Sequence, residues 1–228
     1  MESPENARLV GGWWFPTYDR DFPRFVKVNQ KTPEHPLDID GRVLYQRQKI
    51  LPALDRMGPG RRRLAIDVGA HVGMICYQLC SEFEFVHAFE PVHEVGRLLQ
   101  HNVPFSNYRY HDCALGRQHD MIQMAHGESL SGDNWITKKR GKIPVFPLDD
   151  FALRNVDLIK IDVQGSEMDV VEGARRTLLG CRPVVILEQK GFDLSRFDHK
   201  KHAALKYLKA LGMKCFFVSA GDYSLDWV

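Results

Sequence analysis

The chain has little net charge, no cysteine framework and no long apolar run, and each absence removes a class of protein. Thirty-one Lys and Arg stand against 29 Asp and Glu, a formal charge of +2. So even a balance creates none of the basic field that nucleic-acid or anionic-membrane binding displays. The five cysteines, Cys76, Cys80, Cys113, Cys181 and Cys215, form an odd set without a C-x-x-C pair. Reduced thiols in a cytoplasmic compartment are the simpler reading. Cys76 and Cys80 lie four apart, but no second Cys or His pair completes a zinc-like spacing, so no metal is expected. Apolar runs such as Val184-Val185-Ile186-Leu187 are too short to span a bilayer, and the first residues carry no basic-then-apolar leader. The expectation is a soluble protein with no membrane partner.

What is present is enough for one packed core. Hydrophobic residues make up 44% and charged residues 26% of 228 positions, within the range of ordinary globular domains. Seven of the twelve prolines fall in the first sixty residues. Residues 1–60 therefore read as an irregular N-terminal arm, and 61–228 as the main domain. The arm's Trp13, Trp14, Phe15 and Tyr18 need burial, either as a satellite core or as a lid over a ligand site. Val43 to Met57 reads as a helix with Leu44, Ile50, Leu51 and Leu54 on its apolar face, kinked or interrupted at Pro52.

From Arg63 onward, short runs rich in Val, Ile and Phe alternate with helix-length amphipathic stretches, the pattern of a parallel sheet covered on both faces. Strands are predicted at Leu64–Val68, Phe85–Phe89, Tyr108–Cys113, Leu158–Asp162, Val184–Glu188, Lys214–Val218 and Tyr223–Val228. The last follows its predecessor too closely for a parallel crossover and must run antiparallel. Helices are predicted at Val72–Ser81, Val92–Asn102, Ser166–Leu179 and Lys200–Leu211. Met121–Ala125 and Ile143–Phe146 read as an extra hairpin around a polar, glycine-containing loop.

Ala65-Ile66-Asp67-Val68-Gly69-Ala70-His71-Val72-Gly73 is a strand, a glycine turn and a helix start, placed at the carboxyl edge where open α/β sheets bind ligands. Gly69 would admit a ligand close to the backbone, and Gly73 would let the helix pack closely on the strand. Phe89-Glu90-Pro91 puts an acid at the end of the next strand, where a carboxylate accepts hydrogen bonds from ribose hydroxyls. The spacing Gly69-x-x-x-Gly73 departs from the dinucleotide fingerprint G-x-G-x-x-G. Asp67 just upstream would repel a pyrophosphate and favour an ammonium or sulfonium group. The charge pattern therefore favours S-adenosylmethionine over NAD.

Together with Cys113-Ala114-Leu115-Gly116, Pro147-Leu148-Asp149-Asp150-Phe151, Asp157 to Glu167 and Val171-Glu172-Gly173-Ala174, these segments resemble the FkbM-like methyltransferases of the class I S-adenosylmethionine-dependent enzymes. The resemblance runs in order from about Arg63 to Gln189. It implies an α/β, Rossmann-like, seven-stranded sheet, mostly parallel with the last strand reversed. It further implies that Asp67 meets the methionine end, Glu90 the ribose, and Asp112 with Cys113 the adenine. Gly69, Ala70, His71, Gly73 and Asp162 complete the expected cofactor surface. The family usually has Glu where this chain has Gln164, which removes a charge near the substrate edge.

Transfer to a hydroxyl needs in-line alignment and a base. The candidates are Glu188, Asp162, His71 and His126, and the first two are favoured because strand ends hold side chains more exactly than loops. Lys160, two residues before Asp162, is expected to pair with it. The loop from His126 to Trp135 reads either as a flap over the acceptor or as an ordinary exposed turn. Arg61-Arg62-Arg63 and Lys138-Lys139-Arg140 read as solvated surface or as phosphate contacts. The expected acceptor is a hydroxyl of a sugar or other small metabolite. Methylation of an amine, a peptide or a nucleic acid, or a noncatalytic nucleotide-binding module, stand as alternatives.

Overall fold

The computed structural model describes residues 3–29, 31–125, 135–189, 202–219 and 221–228. Seven strands form the main sheet: β3 (Leu64–Val68), β4 (Phe85–Phe89), β5 (Tyr108–His111), β10 (Val156–Ile161), β11 (Val184–Glu188), β12 (Met213–Ser219) and β13 (Asp222–Trp227). Their order is β12-β13-β11-β10-β3-β4-β5. The five strands from β11 to β5 are parallel to one another, and β13 runs antiparallel to both β11 and β12. The expected reversal is present, and the reversed strand sits between its predecessor and the core rather than at the edge.

Period-two alternation divides the strand residues between two cores. On one face Ile66, Val68, Ile159, Ile161, Val185 and Leu187 pack with α5 (Glu167–Gly173), α6 (Arg175–Cys181) and α7 (Ala203–Ala210). On the other, Ala65, Ala88, Leu158, Val184 and Ile186 pack with α2 (Arg47–Met57), α3 (Met74–Cys80) and α4 (His93–Asn102). The predicted single helix Ser166–Leu179 is two helices. Gly173 lies so close to Gly116 that a Cβ would sit 1.9 Å from its carbonyl oxygen. The second helix is capped from outside: Asp149 accepts the Arg176 and Thr177 amides at 2.7 and 2.8 Å, satisfying donors that a helix start leaves open.

The arm is not irregular. Strands β1 (Ala7–Val10) and β2 (Trp13–Pro16) form a hairpin, followed by α1 (Asp21–Asn29) and α2. Gly11 and Gly12 at its tip have φ of 59° and 83°, the left-handed pair that a two-residue hairpin turn demands. Pro52 does not break α2. Leu51, expected on its apolar face, is 41% exposed, whereas Lys49 is buried. Trp13, Phe15, Val26 and Val43 pack against Val72, Met74, Val92, Val95 and Leu98, so the arm's aromatics form the satellite core. Asn102 ties the parts together: its amide donates to the Trp14 and Val72 carbonyls, both at 2.9 Å, and its oxygen accepts the Trp14 amide at 2.8 Å.

A second sheet, β6 (Ala114–Leu115), β7 (Asp120–Ala125), β8 (Trp135–Arg140) and β9 (Ile143–Phe146), has the order β6-β9-β7-β8. The expected hairpin pairing of β7 with β9 is there, and β8, read as loop, adds to the far side of β7. No helix among the described residues is long and apolar enough to cross a membrane.

Candidate active site

The turn after β3 uses its amides internally. The Gly69 and Ala70 N–H groups both donate to the Phe89 carbonyl at 3.0 Å, the Gly73 N–H donates to the Ala70 carbonyl at 2.9 Å, and the His71 N–H donates to Glu90 Oε2 at 2.9 Å. Four amides that a dinucleotide loop would turn toward a pyrophosphate are thus engaged. Gly69, at φ 77°, is required by the protein's own packing, because a Cβ there would lie 1.8 Å from the Asp162 carbonyl oxygen. Gly73, at φ 90°, faces Val103 and Leu99 of the α4 end, so its close contact is with that helix rather than with a strand.

Glu90 is buried at the end of β4. Its other oxygen, Oε1, accepts the Val92 N–H at 2.9 Å. Burial pushes its carboxyl up to about 7, against the pull of the two amides and of Lys160. A carboxylate has about four acceptor positions, so two amide donors leave room for two hydroxyl donors.

Asp67 is completely buried, so it is not open to meet the methionine end as expected, and its partner is Lys160: Lys160 Nζ lies 3.1 Å from Asp67 Oδ1 and donates to the Gly69 carbonyl at 3.0 Å. Asp162 is 3.9 Å from the same nitrogen. The expected Lys160–Asp162 pair therefore takes second place, because parallel pairing of β10 with β3 sets Lys160 directly opposite Asp67. Burial works against the Lys160 ammonium, yet Asp67, Asp162 and Glu188 together hold it up to about 12. It stays charged. Asp162, at the β10 end, is partly open and accepts the Gln164 side-chain amide at 3.1 Å.

Residues 67–215 match the FkbM methyltransferase domain. The chain belongs to the FkbM methyltransferase family. A curated relative, Methyltransferase 1 of Beauveria bassiana, is 25% identical over 141 residues, covering 47% of this chain and 57% of that protein. The crystal structure of an FkbM methyltransferase from Methylobacillus flagellatus is 21% identical at a TM-score of 0.47, covering 74% of this chain and 44% of the other. Magnesium protoporphyrin IX methyltransferase from Synechocystis, solved with bound SAM, is 12% identical at a TM-score of 0.48, over 79% and 77% of the two chains. The chain thus spans about half the length of the first two of these relatives.

Within this FkbM domain, the remaining expected residues fall at two places on the carboxyl edge. Asp112 is exposed beyond β5, accepting the Tyr110 hydroxyl at 3.1 Å and lying 2.7 Å from His93 Nδ1. Cys113 next to it is buried, which pushes its thiol up to about 11. Glu188 ends β11, opposite Asp222 of β13. It lines a cavity of about 20 Å³ with Gln46, Lys49, Lys160 and Asp222, enough for a water molecule. His71 has φ 52° and stacks edge-on with Phe22 of the arm at 5.2 Å. Burial and the Lys160 charge push its imidazole down to about 3, too weak a base for neutral pH. His126 and most of its loop lie outside the described residues.

Three residues of the site escaped the sequence reading. Lys49 Nζ lies 2.5 Å from Asp222 Oδ2. Tyr45, half-buried ahead of α2, accepts the Gln46 side-chain amide at 2.7 Å, and its phenol is driven up by burial and by the Asp162, Glu188 and Asp222 charges. Only a charge on an otherwise apolar helix face signals Lys49, and only an acid at a strand start signals Asp222. The Arg61-Arg62-Arg63 run is absorbed elsewhere, at the amino end of the sheet. Arg63 grips Asp157 at 2.6 Å, Arg62 grips Glu82 at 3.1 Å, and Arg61 lies 3.5 Å from Asp226.

Proposed function

We propose that this FkbM domain transfers a methyl group from S-adenosylmethionine to a hydroxyl of a sugar or another small metabolite. The observation that carries the reading is Glu90: a buried strand-end carboxylate, fixed by two backbone amides, with acceptor capacity left for a pair of hydroxyls. The engaged amides of the glycine turn argue in the same direction, since they leave little to hold the pyrophosphate of a nicotinamide cofactor. Acids along the edge suit a ligand that is itself cationic.

In this reading the bound cofactor supplies an electrophilic sulfonium methyl. Glu90 holds the ribose, Asp112 and the backbone at Cys113 border the adenine, and Gly69, Ala70, His71 and Gly73 shape the turn beneath it. Asp162 faces the methionine end, while Asp67 acts from beneath by keeping Lys160 in place. Glu188 or Asp162 takes the proton of the acceptor hydroxyl as the new bond forms, and the rest of the task is alignment. Residues 61–228 form the cofactor-binding unit and residues 1–60 the segment that contacts or covers the acceptor. Cytoplasmic residence belongs to the same reading, resting on five free cysteines.

Calorimetry with S-adenosylmethionine and with NAD, followed by methyl-release assays over a panel of hydroxyl and amine acceptors, tests it. Binding of the sulfonium compound and turnover on hydroxyl acceptors are expected. Preference for NAD overturns the cofactor assignment, and tight binding without turnover on any acceptor favours a noncatalytic module.

A further inference from the structure

The first turn of α2 lies across the ends of β10, β11 and β13. Lys49 is buried, and its ammonium meets the buried Asp222 at 2.5 Å. Antiparallel pairing sets Asp222 directly opposite Glu188, which brings side chains on one face within about 5 Å at the Cβ atoms. Both carboxylates and Lys49 border the same small cavity. The arrangement continues along the helix, where Arg56 meets Asp226 at 3.0 Å, so α2 is registered on β13 by two ion pairs. Neither Lys49 nor Asp222 falls within residues 67–215 that match the family.

We propose that Lys49 is a positioning residue for Glu188, its charge acting beside Asp222 to hold the Glu188 carboxylate ionised and oriented at the strand end. Two acids facing each other in a strand pair cannot both ionise cheaply away from water. A cation supplied by the arm resolves that conflict. It also makes the arm part of the acceptor site rather than an appendage. Among the described residues, Asp222 from β13, Lys160 from β10 and Lys49 from α2 border the cavity with Glu188, and the Tyr45 phenol and Lys160 feel the charges of both Glu188 and Asp162. Lys160 is drawn toward Asp67, which leaves Lys49 as the cation of the β13 side.

The inference rests on the proposed function only for the use to which Glu188 is put, so its test reads Glu188 directly. The full chain is labelled with ¹³C at glutamate carboxyls, and the Glu188 resonance, assigned by its loss in Glu188→Gln, is titrated. Lys49→Met should raise the Glu188 midpoint by about one unit or more, the scale for losing an opposite charge at close range. Asp222→Asn should lower it, and Lys49→Arg should leave it near the parent value. A role for Lys49 in packing alone predicts no rise in Lys49→Met. An unmoved midpoint in folded Lys49→Met overturns the proposal. If that variant does not fold, Lys49→Gln is read in the same way, and an unmoved midpoint there overturns it. Calorimetry of the parent chain with S-adenosylhomocysteine is run alongside. Absence of binding there would remove the proposed cofactor and leave the role of Lys49 intact.

Discussion

On the β4 side of the carboxyl edge Glu90 is held by two backbone amides, whereas on the β10 and β11 side the acids stand among lysine side chains. Backbone donors neither titrate nor swing away, and the two at Glu90 pull its carboxyl down by less than burial lifts it. Burial is then free to lift Glu90 to about 7. A lysine contributes a full charge that pulls against that lift, although burial still raises the Asp67 carboxyl. One half of the edge is suited to accept hydrogen bonds from neutral hydroxyls. The other sets its acids beside lysine charges.

Breaking the lysine-held half should have the largest effect. Lys160→Met leaves Asp67 buried without its cation, and loss of about 3–5 kcal/mol in urea unfolding is expected. A loss under about 1 kcal/mol would mean that the pair is not maintained in solution. Next in size is Glu188→Gln, which should slow methyl transfer about a hundredfold while sparing cofactor affinity. An undiminished rate would pass the base role to Asp162, testable by Asp162→Asn.

On the amide-held half, Glu90→Ala should weaken S-adenosylmethionine binding by about 1–3 kcal/mol in calorimetry, the scale for losing a charged hydrogen-bond partner. Glu90 also gives the contrast a pH dependence. A carboxyl raised from 4.5 to about 7 by folding binds its proton more tightly in the native state. Its contribution to stability therefore falls as pH rises between those values. Hydroxyl donors prefer the ionised form, so cofactor affinity should rise with pH up to about 7 and level off above. The Glu90→Gln variant should show neither trend. The smallest effect is expected from His93→Ala, whose exposed pairing with Asp112 should alter stability by less than about 0.5 kcal/mol in the same unfolding assay.

The parallel strands were legible because runs such as Leu158-Ile159 and Val184-Val185-Ile186-Leu187 are buried on both faces and carry the β-branched signature of that burial. The glycine turn and Glu90 were legible because strand, turn and acid are consecutive. Strand β8 was not, since Thr137-Lys138-Lys139-Arg140 offers no apolar alternation. The arm's hairpin turns on Gly11-Gly12 between apolar residues, a local signal that the proline count of the arm does not register. Lys160 with Asp67 becomes readable only once β10 is known to lie beside β3. Lys49 with Asp222 needs more still, because it joins one end of the chain to the other. The Pro147-Leu148-Asp149 segment was recognised by likeness, and its use as a remote cap for α6 emerges only from the packing.

The insertion of β13 between β11 and β12 makes one side of the sheet depend on that strand. Without β13, β12 has no partner in the main sheet and β11 has one bare flank. The strands carrying Asp67 and Glu90 have their neighbours without it. The Glu90 half of the edge thus stands independently of β13, whereas Glu188 owes its opposing acid to it.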